Sequence, residues 1–390
     1  VSFFQHLKPE ELHGEACVKA HIRFYKQTDP DFLKIMHDGL TAPVDLGLTS
    51  LEELKAYRPI KGRNPYIREY LERALRINES LADETDTYSN IFSPFTLLRR
   101  IGDDRLLGFL REDPQAMKDA LLFMGEDLAY LSEKLIQEAG CLGIFLAMQG
   151  AETGLFTPEE FADYIAPSEQ LVLSAAQESS SYNILHFCGW NQIKNQLELW
   201  RDYPGNTVNW AVYVEQLPLA EGRKYFGMRN CMGGFDNRRG KLLYSGTKEE
   251  IRRETKNILE TYKNAFGSTD GLILGADCSF LTDFETERFC WVTEASDNGS
   301  GKGKKDGQNF GPVKRIRYSL RITTGRKWQR ILLFCVIGSI SGILFDNDTS
   351  VIAEGLGIAP YYFVKIPVKA GQGMKAGLQC DIQYASFRTC

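Results

Sequence analysis

Over the first 297 positions, short apolar runs alternate with longer stretches whose apolar residues recur at helical spacing. The runs are Val1–Phe4, Phe32–Met36, Tyr88–Phe92, Cys141–Met148, Tyr182–Cys188, Thr207–Val212, Asn230–Phe235 and Gly271–Cys278. Their length and flanking turn residues predict strands. The stretches between them carry helix start signals. Asp113-Pro114 offers an N-cap followed by Pro at the first helical position, ahead of Met117, Leu121, Leu128, Leu131 and Leu135, with Gly140 as a stop. Ser50-Leu51-Glu52-Glu53, Thr157-Pro158-Glu159-Glu160 and Thr247-Lys248-Glu249-Glu250 each have the spacing of a capping box.

Eight strand–helix units predict an α/β fold, a (β/α)8 TIM barrel, over residues 1–297. A doubly wound open sheet gives the same alternation. The barrel makes a further demand, that chemistry lie at the C-terminal ends of the strands. Gln5, His6, His37, Ser93, Gln149, His186, Cys188, Asn209, Asp236, Asn237 and Cys278 all fall there. His6 and His37 are expected to be ordinary helix-end or solvent-facing histidines. Lys34 falls mid-strand, where a carboxylate partner is expected. The chain starts without Met inside a predicted strand, so upstream residues are expected.

Residues 298–390 break the alternation and form an atypical basic C-terminal extension, a linker and tail to which the pattern assigns no fold. Residues 298–390 carry a net charge of +9 against −14 for residues 1–297. Ten basic residues and one acid, Asp306, lie between Lys302 and Arg330. A solvated, flexible run is the expectation here, and a nucleic-acid partner is not expected. Ile331–Phe345 is apolar but only 15 residues long. A membrane span needs about 20 residues, so strands are expected there and no membrane partner.

The composition, 43% hydrophobic and 25% charged, is that of a globular protein. The nine cysteines form no Cys-x-x-Cys pair and no signal peptide is visible, which predicts a cytoplasmic protein with reduced thiols. Two of the cysteines stand apart. His186 and Cys188 lie two residues apart on one predicted strand, and so share a face. Cys278 ends another. One imidazole and two thiols suit a soft metal, and three ligands with an open fourth position is the pattern of a catalytic zinc. The competing reading is a buried histidine and two inert thiols.

Five segments taken in order resemble the uroporphyrinogen decarboxylase superfamily, which includes methylcobalamin:coenzyme M methyltransferases. They are Asp31-Phe32-Leu33-Lys34-Ile35-Met36, Ser93-Pro94-Phe95-Thr96-Leu97, His186-Phe187-Cys188-Gly189, Gly233-Gly234-Phe235-Asp236-Asn237 with Ser245-Gly246-Thr247-Lys248-Glu249-Glu250, and Leu274-Gly275-Ala276-Asp277-Cys278. The resemblance implies a TIM barrel. It is similar to the methyltransferase branch at His186, Cys188 and Cys278, which it implies are ligands of Zn2+ and the catalytic group. It implies methyl transfer from a methylcobalamin-type corrinoid, carried by a separate corrinoid protein, to a small thiol such as coenzyme M or homocysteine. Two thiolates and a neutral imidazole leave such a zinc site formally uncharged, and a bound substrate thiolate makes it −1, an excess of electron density that favours sulfur nucleophilicity over Lewis acidity. Gln149, Asn209, Asp236 and Asn237 are the expected substrate-binding residues, with Asn209, Asp236, Asn237 and Asp277 as candidates to support the metal ligands. Turn formation is an equal reading of Asp236 and Asn237. The alternative branch is metal-free uroporphyrinogen decarboxylase. It carries arginines just after the first strand, where this chain reads Phe4-Gln5-His6-Leu7-Lys8-Pro9. Self-association through exposed barrel helices is left open.

Overall fold

A computed structural model describes residues 1–40, 46–82, 84–300, 316–324, 327–335 and 350–354. The chain divides into two compact units, Val1–Gly303 and Lys304–Cys390. In the first unit seven parallel strands run in sequential order: β1 (Phe32–Ile35), β2 (Asp86–Phe92), β3 (Gly143–Met148), β4 (Ile184–Phe187), β5 (Thr207–Trp210), β6 (Asn230–Phe235) and β7 (Leu272–Ala276). Each is joined to the next through helices, as parallel pairing requires.

The opening run Val1–Phe4 is a correction to the count of eight. It forms no ladder strand. Its backbone-to-backbone hydrogen bonds to the two neighbouring strands are single and unlike, and the Ser2 hydroxyl adds bonds to the Phe32 backbone. Ser2 N–H donates to the Leu274 carbonyl of β7 at 2.9 Å, while Asp31 N–H, one residue before β1, donates to the Val1 carbonyl at 3.0 Å. Beyond β7, Phe280 N–H donates to the Phe4 carbonyl and His6 N–H to the Phe280 carbonyl. The segment therefore fills the eighth position between β7 and β1 without continuous pairing, and the (β/α)8 TIM-barrel architecture stands.

Alternation along the strands sorts the core into layers. Phe32, Met36, Tyr88, Phe145, Ile184 and Met232 join Phe4 in one buried cluster inside the barrel. Their strand neighbours Leu33, Ile35, Ile144, Leu146, Leu185, Phe187, Val208 and Trp210 belong to the larger cluster under the helices. The expected helix starts are all present. Ser50, Thr157 and Thr247 each complete a capping box with Glu53, Glu160 and Glu250. Asp113 accepts from Ala116 N–H at the head of the helix Pro114–Gln137.

In the second unit, β8 (Ile316–Thr324), β9 (Lys327–Cys335) and β10 (Ser350–Glu354) form an antiparallel sheet in the order β10-β8-β9. Of the basic run at residues 302–330, only Ile316–Thr324 and residues 327–330 lie among the described residues, and they belong to this sheet. The expected strand at Ile331–Phe345 is met as far as Cys335, and residues 336–345 lie outside the described residues. Among the described residues no helix is long and apolar enough to cross a membrane.

One close approach ties the outer layer to β5. A Cβ on Gly222 would lie 2.1 Å from Cζ2 of Trp210, whose indole N–H donates to the Leu217 carbonyl. Gly222→Ala is expected to destabilise the barrel by about 1–3 kcal/mol through overpacking, read as a lowered urea midpoint with unchanged slope.

Candidate metal centre

β4 ends in His186-Phe187. Phe187 points outward and stacks on Trp200, leaving His186, 3% exposed, on the inner face. Cys188 lies one residue past the strand, but its N–H donates to the Met148 carbonyl of β3 at 3.1 Å and so continues the pairing. Cys278 lies two residues past β7. One ligand atom from each of His186, Cys188 and Cys278 falls within 4.8 Å of the others. The sulfur of Cys278 is 3.7 Å from Nε2 of His186. Bond lengths of a tetrahedral zinc site put a sulfur and a nitrogen ligand about 3.6 Å apart, so the residues present fit that ion.

The imidazole is also set in the right tautomer. Asn209 on β5 uses its amide NH2 on two carbonyls, Met232 at 2.9 Å and Ala276 at 3.1 Å. Its oxygen is thereby turned to His186, whose Nδ1 lies 2.6 Å away. Nδ1–H must be the donor, because an amide oxygen only accepts. Nε2 then carries its lone pair towards Cys278. Metal-binding histidines are commonly fixed in this way by an acceptor on the other ring nitrogen.

The two thiols differ in charge preference when no metal is bound. A hydrogen bond from Cys188 holds Cys278 well below the ordinary thiol range. Burial opposes this, while His186 and the charge of Lys34 add to it. The same hydrogen bond, then burial, pushes Cys188 up.

The other expected residues divide. Gln149 is buried, and its side chain hydrogen-bonds Cys188. Asn209 is engaged by His186 and two strands, which makes it a positioning residue. Asp236 is held by Arg238, with the guanidinium within 2.8 Å of Oδ1, and by Arg238 N–H at 3.0 Å. Asn237 donates to the Ser279 carbonyl. Asp277 accepts from Tyr213 N–H, and burial raises its carboxyl to about 8. None of these three touches the ligands by hydrogen bond among the described residues.

His37 departs from expectation, whereas the His6 side chain is 38% exposed. His37 is buried, accepts from Asn90 at 2.6 Å and packs on Phe92, and burial lowers it to about 3. His6 pairs through Nδ1 with Asp38 at 2.9 Å, and Asp38 also accepts from Leu7 N–H. Burial works against charge on both members. The hydrogen bond between them raises His6 and holds Asp38 well below the usual carboxylate range. Asp38 was not singled out in the sequence; its place two residues after the first strand pattern was the available signal.

Asn209→Leu is expected to weaken zinc binding by about 10- to 100-fold while leaving the fold intact. Competition against a chromophoric chelator measures it, and the imidazole nitrogen shifts of the apo protein report the lost tautomer preference.

The uroporphyrinogen decarboxylase (URO-D) family model matches residues 36–298. No curated protein matches the chain. Among solved structures, a methyltransferase from Methanosarcina mazei is similar at 17% identity and a TM-score of 0.57, covering 74% of this chain and 87% of that one. A putative vitamin-B12 independent methionine synthase from Listeria monocytogenes aligns at 14% identity and a TM-score of 0.43, over 73% of this chain and 86% of that one. The first likeness agrees with the barrel described above. With its barrel, its ordered strand-end segments and a family match running from the end of β1 to the last helix of the barrel, the chain belongs to the uroporphyrinogen decarboxylase family.

Proposed function

We propose that this chain is a zinc-dependent methyltransferase that moves a methyl group from a methyl-corrinoid protein to a small thiol. The observation that carries the reading is the convergence of two thiols and a correctly protonated imidazole at the barrel mouth. His186, Cys188 and Cys278 are the residues that hold the ion. When bound, zinc supplies a positive centre that keeps an acceptor thiol deprotonated at neutral pH.

The chain's own residues account for the rest. Asn209 holds the His186 proton at Nδ1, so the ring does not protonate an incoming thiolate through that nitrogen. Gln149 hydrogen-bonds Cys188 from the β3 end. Phe145 packs against His186 at 5.3 Å between ring centres and keeps water from the inner side of the ring. The acceptor sulfur takes the methyl group, and the electron pair of the broken carbon–cobalt bond stays with the corrinoid. The corrinoid is assigned to a separate partner protein, as the resemblance to the methyltransferase branch implies.

A docking face for that partner is supported by exposed apolar side chains on the loops after β4, β5 and β7. Trp190, Ile193, Tyr213 and Leu281 are 36–44% exposed. Large side chains grouped on one rim suit a protein interface. Arg99 braces Trp190, lying 5.6 Å over its ring while bonded to the buried Glu152 at 2.5 Å.

Metal-replete protein is expected to contain about one zinc per chain and to methylate a thiol with methylcobalamin as donor. Cys278→Ala is expected to lose both, as measured by elemental analysis and by loss of free thiol; a metal-replete protein free of zinc overturns the reading. Trp190→Ser is expected to raise the KM for a methylated corrinoid protein by about tenfold, while transfer from free methylcobalamin stays unchanged in the same assay.

A further inference from the structure

Glu169 lies in the first turn of the helix Ala166–Ser179, and its side chain is fully buried. A buried carboxylate is ordinarily met by a cation. Here the clearest donor is neutral, the Trp200 indole N–H, 3.0 Å from Oε2. Ser93, one residue past β2, and Tyr203 bring hydroxyls to the same carboxyl, yet Oε1 and the Tyr203 hydroxyl each lack a well-aligned hydrogen bond. The helix N-terminus favours a charge there only modestly.

Among the described residues no cation pairs with Glu169. The charge that reaches it from the loop after β3 is that of Glu152, a second carboxylate, and the Arg99 guanidinium is committed to Glu152 and Asp103. On the adjoining helices Pro114–Gln137 and Pro158–Tyr164, Lys118 and Asp163 pair with each other at the surface. Burial pushes the Tyr203 phenol well up, so it keeps its proton. For Glu169, burial outweighs the neutral donors and raises the carboxyl to about 7.

A proton on this carboxyl is felt at the strand ends. The Ser93 hydroxyl lies 2.9 Å from that of Thr96, which accepts from Gln149 N–H, just past β3, at 2.8 Å. A carboxylate only accepts, so against it Ser93 donates to Glu169 and accepts from Thr96. Against a neutral acid the order turns over: Glu169 donates to Ser93, and Ser93 gives its own proton to Thr96.

We propose that the Glu169 carboxyl is a pH switch built into the barrel wall, whose loss of a proton reverses the Ser93 and Thr96 hydroxyls past β2 and weakens the fold around Trp200. The inference goes beyond the proposed methyl transfer and does not depend on it. Folding raises the affinity of this group for its proton, so the stabilisation it gives is complete below about pH 4.5 and is lost as pH rises through about 7.

Wild type and Glu169→Gln, which keeps the shape of the neutral acid and cannot ionise, are compared between about pH 5.5 and 8.5. Over that range the thermal midpoint of wild type is expected to fall by about 3 °C or more relative to the variant. The Trp200 indole N–H resonance is expected to move with a midpoint near pH 7 in wild type and to stay fixed in Glu169→Gln. If Glu169→Gln does not fold, the wild-type indole titration decides. Stability curves that run parallel, an indole signal that does not move, or one that moves alike in both proteins overturns the proposal. Neither readout involves methyl transfer, so failure here leaves that reading as it stands.

Discussion

The site depends on one amide. Asn209 has four hydrogen-bonding positions and three of them are committed, two to carbonyls at β6 and β7 and one to His186. Because an amide cannot donate from its oxygen, those two carbonyls decide which nitrogen of the imidazole carries the proton. The choice is made by backbone, which strand pairing holds rigidly, and not by a mobile side chain. The cost of mis-orientation is high in a buried setting, since turning the amide over would face two carbonyls with an oxygen and leave donors opposite a donor. The β5 strand thus transmits the register of β6 and β7 to a ligand on β4.

Much of the frame was legible in the residues. Period and length picked out β1 to β7, and the three capping boxes were readable because a cap is a local device, complete within four residues. The opening run was over-read as a strand. A short apolar segment looks the same whether it pairs along its length or only touches its neighbours, and the difference lies in residues from 274 to 280. The grouping of His186, Cys188 and Cys278 was also legible, because a barrel brings every strand end to one face regardless of sequence separation. What was not legible is pairing between side chains. Nothing local to His37 says that Asn90 will cover it, and nothing local to Lys34 says that it will lie over the rings of Phe4 and Phe145 rather than against a carboxylate. Asp236 and Arg238 bond each other and close a turn, so the turn reading of that segment carries more weight than the ligand-supporting one.

The mouth of the barrel divides by polarity. The inner face carries aromatic rings around a few committed polar groups, while near the rim Arg99 with Glu152 ties the loops after β2 and β3 together, and Arg238 donates from the β6 loop to Gln192 after β4. The Arg99–Glu152 pair is buried on both sides, and a buried ion pair contributes little net stability although removing one partner is costly. The effect of the two contacts is to hold the loops after β2, β3, β4 and β6 in place at the rim.

The seam of the barrel has a thermodynamic consequence. Val1–Phe4 closes the gap between β7 and β1 through isolated hydrogen bonds, the weakest edge of the sheet, and Cys278 lies just beyond that edge. Cys278 and His186 are 92 residues apart in sequence. An ion gripped by both is a cross-link between the seam and the opposite wall. Whatever binds only the closed form adds its binding free energy to closure, and whatever opens the seam must first release the ion. Under the proposed function, zinc binding would therefore couple catalytic competence to barrel integrity.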